Sequence, residues 1–202
     1  QAFGKGKGSF DAETYSRYLD QGRAFFSLYY RRHLGAWHKD VSVEYTVRQV
    51  ELDGVPITGT IDRIEYHKKL AVRLVDYKTG SHDPARVSRP SSKNPLGGAY
   101  WRQLVFYKLL FEQLDRSSRV VTEGEIAYVH PDKQGAFPSV RIAFEPEDTR
   151  LVRELVVDAY ARIMNQDFYS GCGKDDCVWC NLARQTTLPP SLTDMETESL
   201  DD

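Results

Sequence analysis

Residues 41–79 carry three strand-like runs in succession, and this feature does most to limit what the chain can fold into. Val41–Leu52 reads VSVEYTVRQVEL and Val55–Tyr66 reads VPITGTIDRIEY, with Asp53–Gly54 between them. An Asp-Gly pair between β-rich runs is a strong tight-hairpin signal. A third run, LAVRLVDYKT at 70–79, follows the polar turn at 67–69. Three strands joined by such short turns must lie antiparallel, as a meander.

The rest reads as helices around that sheet. Apolar and aromatic residues recur near helical spacing at Tyr15, Leu19, Phe26, Tyr29, Tyr30 and Leu34. Ser9 or Asp11 would cap that helix, and Gly35 would stop it. A long loop rich in Ser, Pro, Gly and Arg occupies 81–98. A helix is expected over 99–114, strands at 123–130 and 139–144, and a second long helix at 147–166. The expected fold is α/β, with an antiparallel meander flanked by helices. The Gly/Lys-rich stretch 1–9 is expected to be flexible and the polar stretch 186–202 disordered, with one domain over 10–185.

Composition enters by exclusion. With 202 residues and 41% hydrophobic content, one core is affordable. A net charge of −2 argues against a protein that coats nucleic acid through a global basic field. No apolar run is long enough to span a membrane. The 3 cysteines cluster near the C-terminus and do not form a disulfide framework, which points to a reducing, cytoplasmic setting. The first residue is Gln1, so a longer parent polypeptide is expected.

The chemistry gathers at two strand ends. Side chains alternate along a strand, so Val72, Leu74, Asp76 and Lys78 share a face that runs from apolar core to charged rim. A carboxylate and an ammonium at such a boundary are costly unless they pair or bind an ion. Strand pairing could bring Asp62 beside Asp76. Two close carboxylates favour a hard divalent cation with oxygen ligands, such as Mg²⁺ or Mn²⁺. Lys78 could orient a water or stabilise charge on a phosphate. Gln103 and Tyr107, four apart on one helical face, could reach the mouth of the site.

Taken in order, GTIDRI, VDYKTG and QLVFY resemble the RecB-type branch of the PD-(D/E)XK nuclease superfamily. The resemblance implies a restriction-endonuclease-like α/β core with a central mixed β-sheet. It implies Asp62, Asp76 and the backbone carbonyl of Tyr77 as metal ligands, Lys78 as the catalytic lysine, and Gln103 and Tyr107 as its accessory pair. Glu44 matches a glutamate often found on the first strand and is a candidate accessory residue. Such domains sit at the C-terminus of UvrD/Rep-type helicase–nucleases and cut DNA ends in repair and recombination. The expected substrate is single-stranded or unwound DNA, the expected mode exonucleolytic, and the expected partner a helicase motor on the same polypeptide. Arg86, Arg89 and Lys93 on the long loop are candidate DNA contacts. Tyr100 and Trp101 are weighed as base-stacking residues against burial on the sheet.

Two departures leave alternatives open. The family places a histidine on an upstream helix in a Gly-x-x-His setting, whereas this chain has Gly22-Arg23-Ala24-Phe25, and His33 and His38 come later. Some relatives hold a [4Fe–4S] cluster on four cysteines, whereas Cys172, Cys177 and Cys180 are three. An iron–sulfur cluster or zinc is therefore incomplete within the chain. The competing functions are a catalytically silent DNA-binding scaffold and a CRISPR-associated nuclease.

Overall fold

The computed structural model describes residues 11–114, 118–167, 171–172 and 175–185. The expectations for 1–9 and 186–202 lie outside these residues. Two compact units divide the chain, Gln1–Val156 and Val157–Asp202.

The first unit is built on a five-stranded sheet in the order β1-β2-β3-β4-β5. The strands are β1 (Val41–Leu52), β2 (Val55–Tyr66), β3 (Ala71–Lys78), β4 (Val120–Tyr128) and β5 (Ser139–Ala143). Asp53, at φ 53°, and Gly54, at φ 79°, make the first hairpin turn, the left-handed backbone that an Asp-Gly pair tolerates. All pairings are antiparallel except β3 with β4, which run parallel. The sheet is thus mixed, as the family resemblance implied, with its meander intact. Helix α3 (Ala99–Leu114) provides the crossover between the parallel pair.

Helix α1 (Ala12–His33) starts at Asp11, whose carboxylate accepts from the Thr14 N–H at 2.8 Å. The expected long loop contains a one-turn helix, α2 (Pro84–Val87), capped by Asp83. Strand β4 begins earlier and ends sooner than the apolar run at 123–130 suggested. Helix α4 (Pro146–Met164) spans the boundary between the units, and α5 (Val178–Gln185) in the second unit was not anticipated. Among the described residues, no helix is long and apolar enough to cross a membrane.

The sheet has two unlike faces. One is covered by α3, with Val72, Leu74, Leu104, Leu110 and Ile126 fully buried. Gly59 and Gly124 let α3 lie close, because a Cβ at either would sit 2.6 Å from Leu110 Cδ1 or 3.0 Å from Leu104 Cδ1. The other face meets α1 through Tyr29, whose ring stands edge-on to Tyr77 at 6.3 Å and to Phe137 at 5.0 Å. That second face is charged. Glu65 receives Arg63 at 2.7 Å and Arg73 at 2.9 Å, and Arg141 meets Glu125 at 2.8 Å. A cavity of about 710 Å³ opens over these pairs, and neither Asp62, Asp76 nor Lys78 lines it.

Candidate active site

Where β2 and β3 separate, their two aspartates face one another. The ladder runs from Tyr66↔Val72 to Arg63↔Val75 and stops. The next residues in register would be Asp62 and Asp76. Instead of a backbone partner, the Tyr77 N–H donates to Asp62 Oδ2 at 2.8 Å. Strand β3 stays bonded to β4 as far as Lys78↔Tyr128, so the splay opens on the β2 side alone. Along β3, exposure rises from none at Val72 and Leu74 to 2% at Asp76, and Lys78 is part-exposed.

Helix α3 supplies the cover. Asp76 Oδ1 accepts from Gln103 Nε2 at 2.8 Å and from the Tyr107 hydroxyl at 3.2 Å. Gln103 Oε1 accepts from Lys78 Nζ at 2.8 Å. The ammonium has only donors, so it must face the amide oxygen, and the amide nitrogen then points at the carboxylate. Gln103 Nε2 also donates to the Tyr107 hydroxyl at 3.0 Å, so that hydroxyl's own proton goes to Asp76. Lys78 Nζ lies 2.7 Å from Asp76 Oδ2. That contact is an ion pair off the hydrogen-bonding directions, since Oδ2 is buried without a hydrogen-bond partner.

Burial is the largest influence on Asp76 and pushes its carboxyl above the ordinary carboxylate range. The pull of Lys78 opposes this, while the like charge of Asp62 adds to it. Burial, then the Asp76 charge, likewise raises the Tyr107 hydroxyl and keeps it a donor. A raised folded pKa favours the protonated carboxyl. Its stabilisation is complete below the unfolded value near pH 4 and is lost as pH rises through the folded value. Ionised Asp76 is therefore a net cost at neutral pH. Asp76→Asn keeps both acceptor contacts at Oδ1 but turns an amide donor toward the Lys78 ammonium, so its gain over the wild type at pH 7 in EDTA is expected to be small and to vanish toward pH 4. A wild type at least as stable at pH 7 would mean that the attraction to Lys78 outweighs burial.

A buried carboxylate oxygen whose close partner is the Lys78 ammonium, beside a second carboxylate, is a donor set that fits a hard divalent cation. Glu44 stands opposite Asp62 by strand register, between the pairs Val43↔Arg63 and Tyr45↔Ile61. It breaks the ladder at φ 49° and its side chain is exposed. Among the described residues it does not join Asp62 and Asp76 in a compact ligand group.

The loop cations divide. Arg86 Nη1 donates to the Tyr100 hydroxyl at 2.8 Å, and Lys78 Nζ sits 4.6 Å from the centroid of the same ring. Arg89 is committed elsewhere. It holds Asp148 at 2.7 Å and the carbonyl of Ala143, tying the loop to the start of α4 and leaving little for a phosphate. Lys93 is exposed on the loop. Trp101 is fully buried, whereas Tyr100 is half-buried at the site mouth. Tyr100 is what the sequence reading undervalued: it lies three residues before Gln103, on the same helical stripe.

The upstream histidines are not here. His33 packs on Tyr29 at 4.1 Å and His38 bonds the Tyr66 carbonyl at 2.6 Å, both lining the cavity on the opposite face. Phe25, in the position of the expected histidine, packs edge-on against His130 at 4.9 Å. In the second unit, the sulfurs of Cys172, Cys177 and Cys180 lie within 4.8 Å of one another, without a fourth ligand among the described residues. Hydrogen bonding from Cys180 pushes the Cys177 thiol down to about 7, which favours the metal-binding thiolate. Trp179 beside them is exposed rather than packed on a core.

Residues 8–185 match a family model described as the PD-(D/E)XK nuclease superfamily. No curated protein matches the chain. Among solved structures, SSO0001 is 22% identical, with a TM-score of 0.38, over 62% of this chain and 50% of its own. A candidate exonuclease from Eubacterium rectale is 14% identical, with a TM-score of 0.43, over 78% of this chain and 57% of its own. The chain thus spans about half the length of each.

Proposed function

The chain belongs to the PD-(D/E)XK nuclease superfamily, and from that premise we propose that it hydrolyses DNA phosphodiesters at Asp62, Asp76 and Lys78. The observation that carries the reading is the strand splay, with the buried Asp76 Oδ2 left without a hydrogen bond next to Asp62 and Lys78. Asp62, Asp76 and the carbonyl of Tyr77 would hold Mg²⁺ or Mn²⁺. When bound, such an ion polarises the phosphate and lowers the pKa of a coordinated water.

The chain's own groups do the rest. Gln103 and Tyr107 fix one oxygen of Asp76 and leave the other for the ion. Gln103 also aims Lys78, so the ammonium is pre-set toward the place where phosphate charge builds. It is held by one amide and one ring as well as by Asp76 Oδ2, so the first two contacts keep it in place when that oxygen turns to an ion.

The finer reading follows the sequence resemblance. It is a RecB-type exonuclease domain over 10–185, inside the cell, acting on single-stranded or unwound DNA behind a helicase motor on the same polypeptide in repair or recombination. Lys93 and Arg86 are its phosphate contacts, and Glu44 an outer accessory. The three thiols are a partial zinc or iron–sulfur site whose remaining ligand lies elsewhere. Phe25, standing where a ligand histidine is expected, favours a second reading, a silent DNA-binding scaffold.

Incubation with single- and double-stranded DNA separates the two. Cutting is expected with Mn²⁺ or Mg²⁺ and none in EDTA, with mononucleotides or short oligonucleotides released from ends. DNA binding without cutting under any divalent ion, and without stabilisation by that ion, would favour the scaffold.

A further inference from the structure

We propose that Tyr100 is a positioning residue that joins Lys78 and Arg86 into one cationic clamp, in which Arg86 grips a nucleic-acid phosphate adjacent to the one cut. The proposal rests on the nuclease reading and adds a substrate subsite to it.

The two cations come from different parts of the chain, Lys78 from the end of β3 and Arg86 from α2, yet they share one aromatic ring. Lys78 Nζ is 4.6 Å from the Tyr100 centroid and Arg86 Cζ is 5.3 Å from it. Cation–π attraction favours each contact separately, but two like charges around one ring repel unless an anion offsets them. Lys78 has Asp76. Among the described residues, the carboxylate paired with Arg86 is Asp83, at 3.5 Å, with both side chains about half exposed, and an exposed pair at that distance contributes little. The Tyr100 hydroxyl takes one donor of the guanidinium. With Nη1 on Tyr100 and Nε toward Asp83, the five-donor group keeps its Nη2 for a phosphate.

Arg86 is also seated in advance. The Gly98 N–H donates to the Ser88 carbonyl at 2.8 Å, and the Ser88 hydroxyl donates to the Ala85 carbonyl at 2.8 Å. The backbone of Arg86 lies against Gly98 so closely that a Cβ there would be 2.2 Å from the Arg86 carbonyl oxygen. The loop cannot slide without moving the start of α3, which carries Tyr100. The arginine is thus held beside the reacting centre before substrate arrives, the condition under which a contact adds most to positioning.

Binding of a fluorescent single-stranded oligonucleotide is measured in EDTA against salt, and steady-state cutting with Mn²⁺ or Mg²⁺, both in the wild-type background, because Asp76 is the anion that offsets Lys78 in the clamp. Arg86→Ala should weaken binding about tenfold, as expected for one charge-assisted contact at an exposed position. It should make the salt slope shallower by about 0.7, one single-strand phosphate. In cutting, KM rises and kcat stays. Tyr100→Phe keeps the ring under Lys78 and loses the tie to Arg86, so it raises KM only; Tyr100→Leu lowers kcat as well. Arg86→Ala combined with Tyr100→Phe should be no worse than Arg86→Ala alone, because both remove one coupled contact. Lys68→Ala, an exposed cation in the turn at the opposite end of β3 from Lys78, is the control and should match its parent. Normal affinity and salt slope in Arg86→Ala, or Tyr100→Phe indistinguishable from Tyr100 in KM, overturns the clamp. The binding arm needs no turnover, so it decides the clamp even if the wild type fails to cut, which alone would count against the nuclease reading.

Discussion

Asp76→Ala is expected to reduce DNA cleavage by at least about a thousandfold, and Lys78→Ala by a similar factor, the scale seen when one pre-set charge partner is removed from a reacting phosphate or oxyanion. The argument is geometric. Asp76 offers the one buried oxygen with no hydrogen bond in the cluster, and Lys78 is the cation nearest to it. The fold should survive both changes. Burial disfavours ionised Asp76, which offsets part of what its removal costs by taking the acceptor from Gln103 and Tyr107. Lys78 lies at the rim, where truncation leaves solvent rather than a cavity. Gln103→Ala touches the chemistry only through its neighbours and should lose less, about ten- to a hundredfold. Asp76→Ala with Lys78→Ala should be scarcely worse than either alone, because groups that act as a unit are not additive. Single-turnover rates with enzyme in excess, paired with thermal melts, make the check. Cutting by both variants at the wild-type rate would remove the site assignment.

Much of this was legible in the letters. Each strand of the meander is marked by its β-rich run, and the Asp53–Gly54 turn sets the first register; the short turn after Tyr66 then leaves Asp62 opposite Asp76. Helix α3 was legible to the residue because its apolar stripe and its flanking glycines agree. The parallel partner of β3 was not, since period two marks a strand without giving its direction or neighbour. Polar alternation is ambiguous in another way. Arg63, Glu65 and Arg73 alternate like a solvated face, yet Glu65 is 3% exposed and closed into ion pairs. A sequence pattern cannot separate a wet face from a buried salt-bridge network, because both need the same residue types. Arg86 and Arg89 were equivalent on paper. Only the position of Asp148, 59 residues from Arg89, distinguishes a tether from a free cation.

Trp101 carries the largest expected effect on stability. Its indole is fully buried at the start of α3. It lies so close to the loop that a Cβ at Gly97 would be 2.8 Å from Trp101 Cε3. Truncation to alanine removes the largest side chain in the core and leaves a void that the sheet cannot collapse into, which costs about 3–5 kcal/mol. For a chain of 202 residues that corresponds to a fall in melting temperature on the order of 10 °C. Trp101→Phe should behave differently. The indole Nε1 is buried without a hydrogen-bond partner, so the wild type already carries the cost of a desolvated donor, about 1–3 kcal/mol. Phenylalanine loses volume but removes that cost, and the two terms partly offset one another. Urea melts of the three proteins should therefore place Trp101→Phe close to the wild type and Trp101→Ala far below it. Because the same indole backs the loop that carries Arg86, Trp101→Ala should also weaken DNA binding, while Trp101→Phe should not. A Trp101→Ala protein of undiminished stability that has lost DNA binding would place the indole on the substrate instead of in the core.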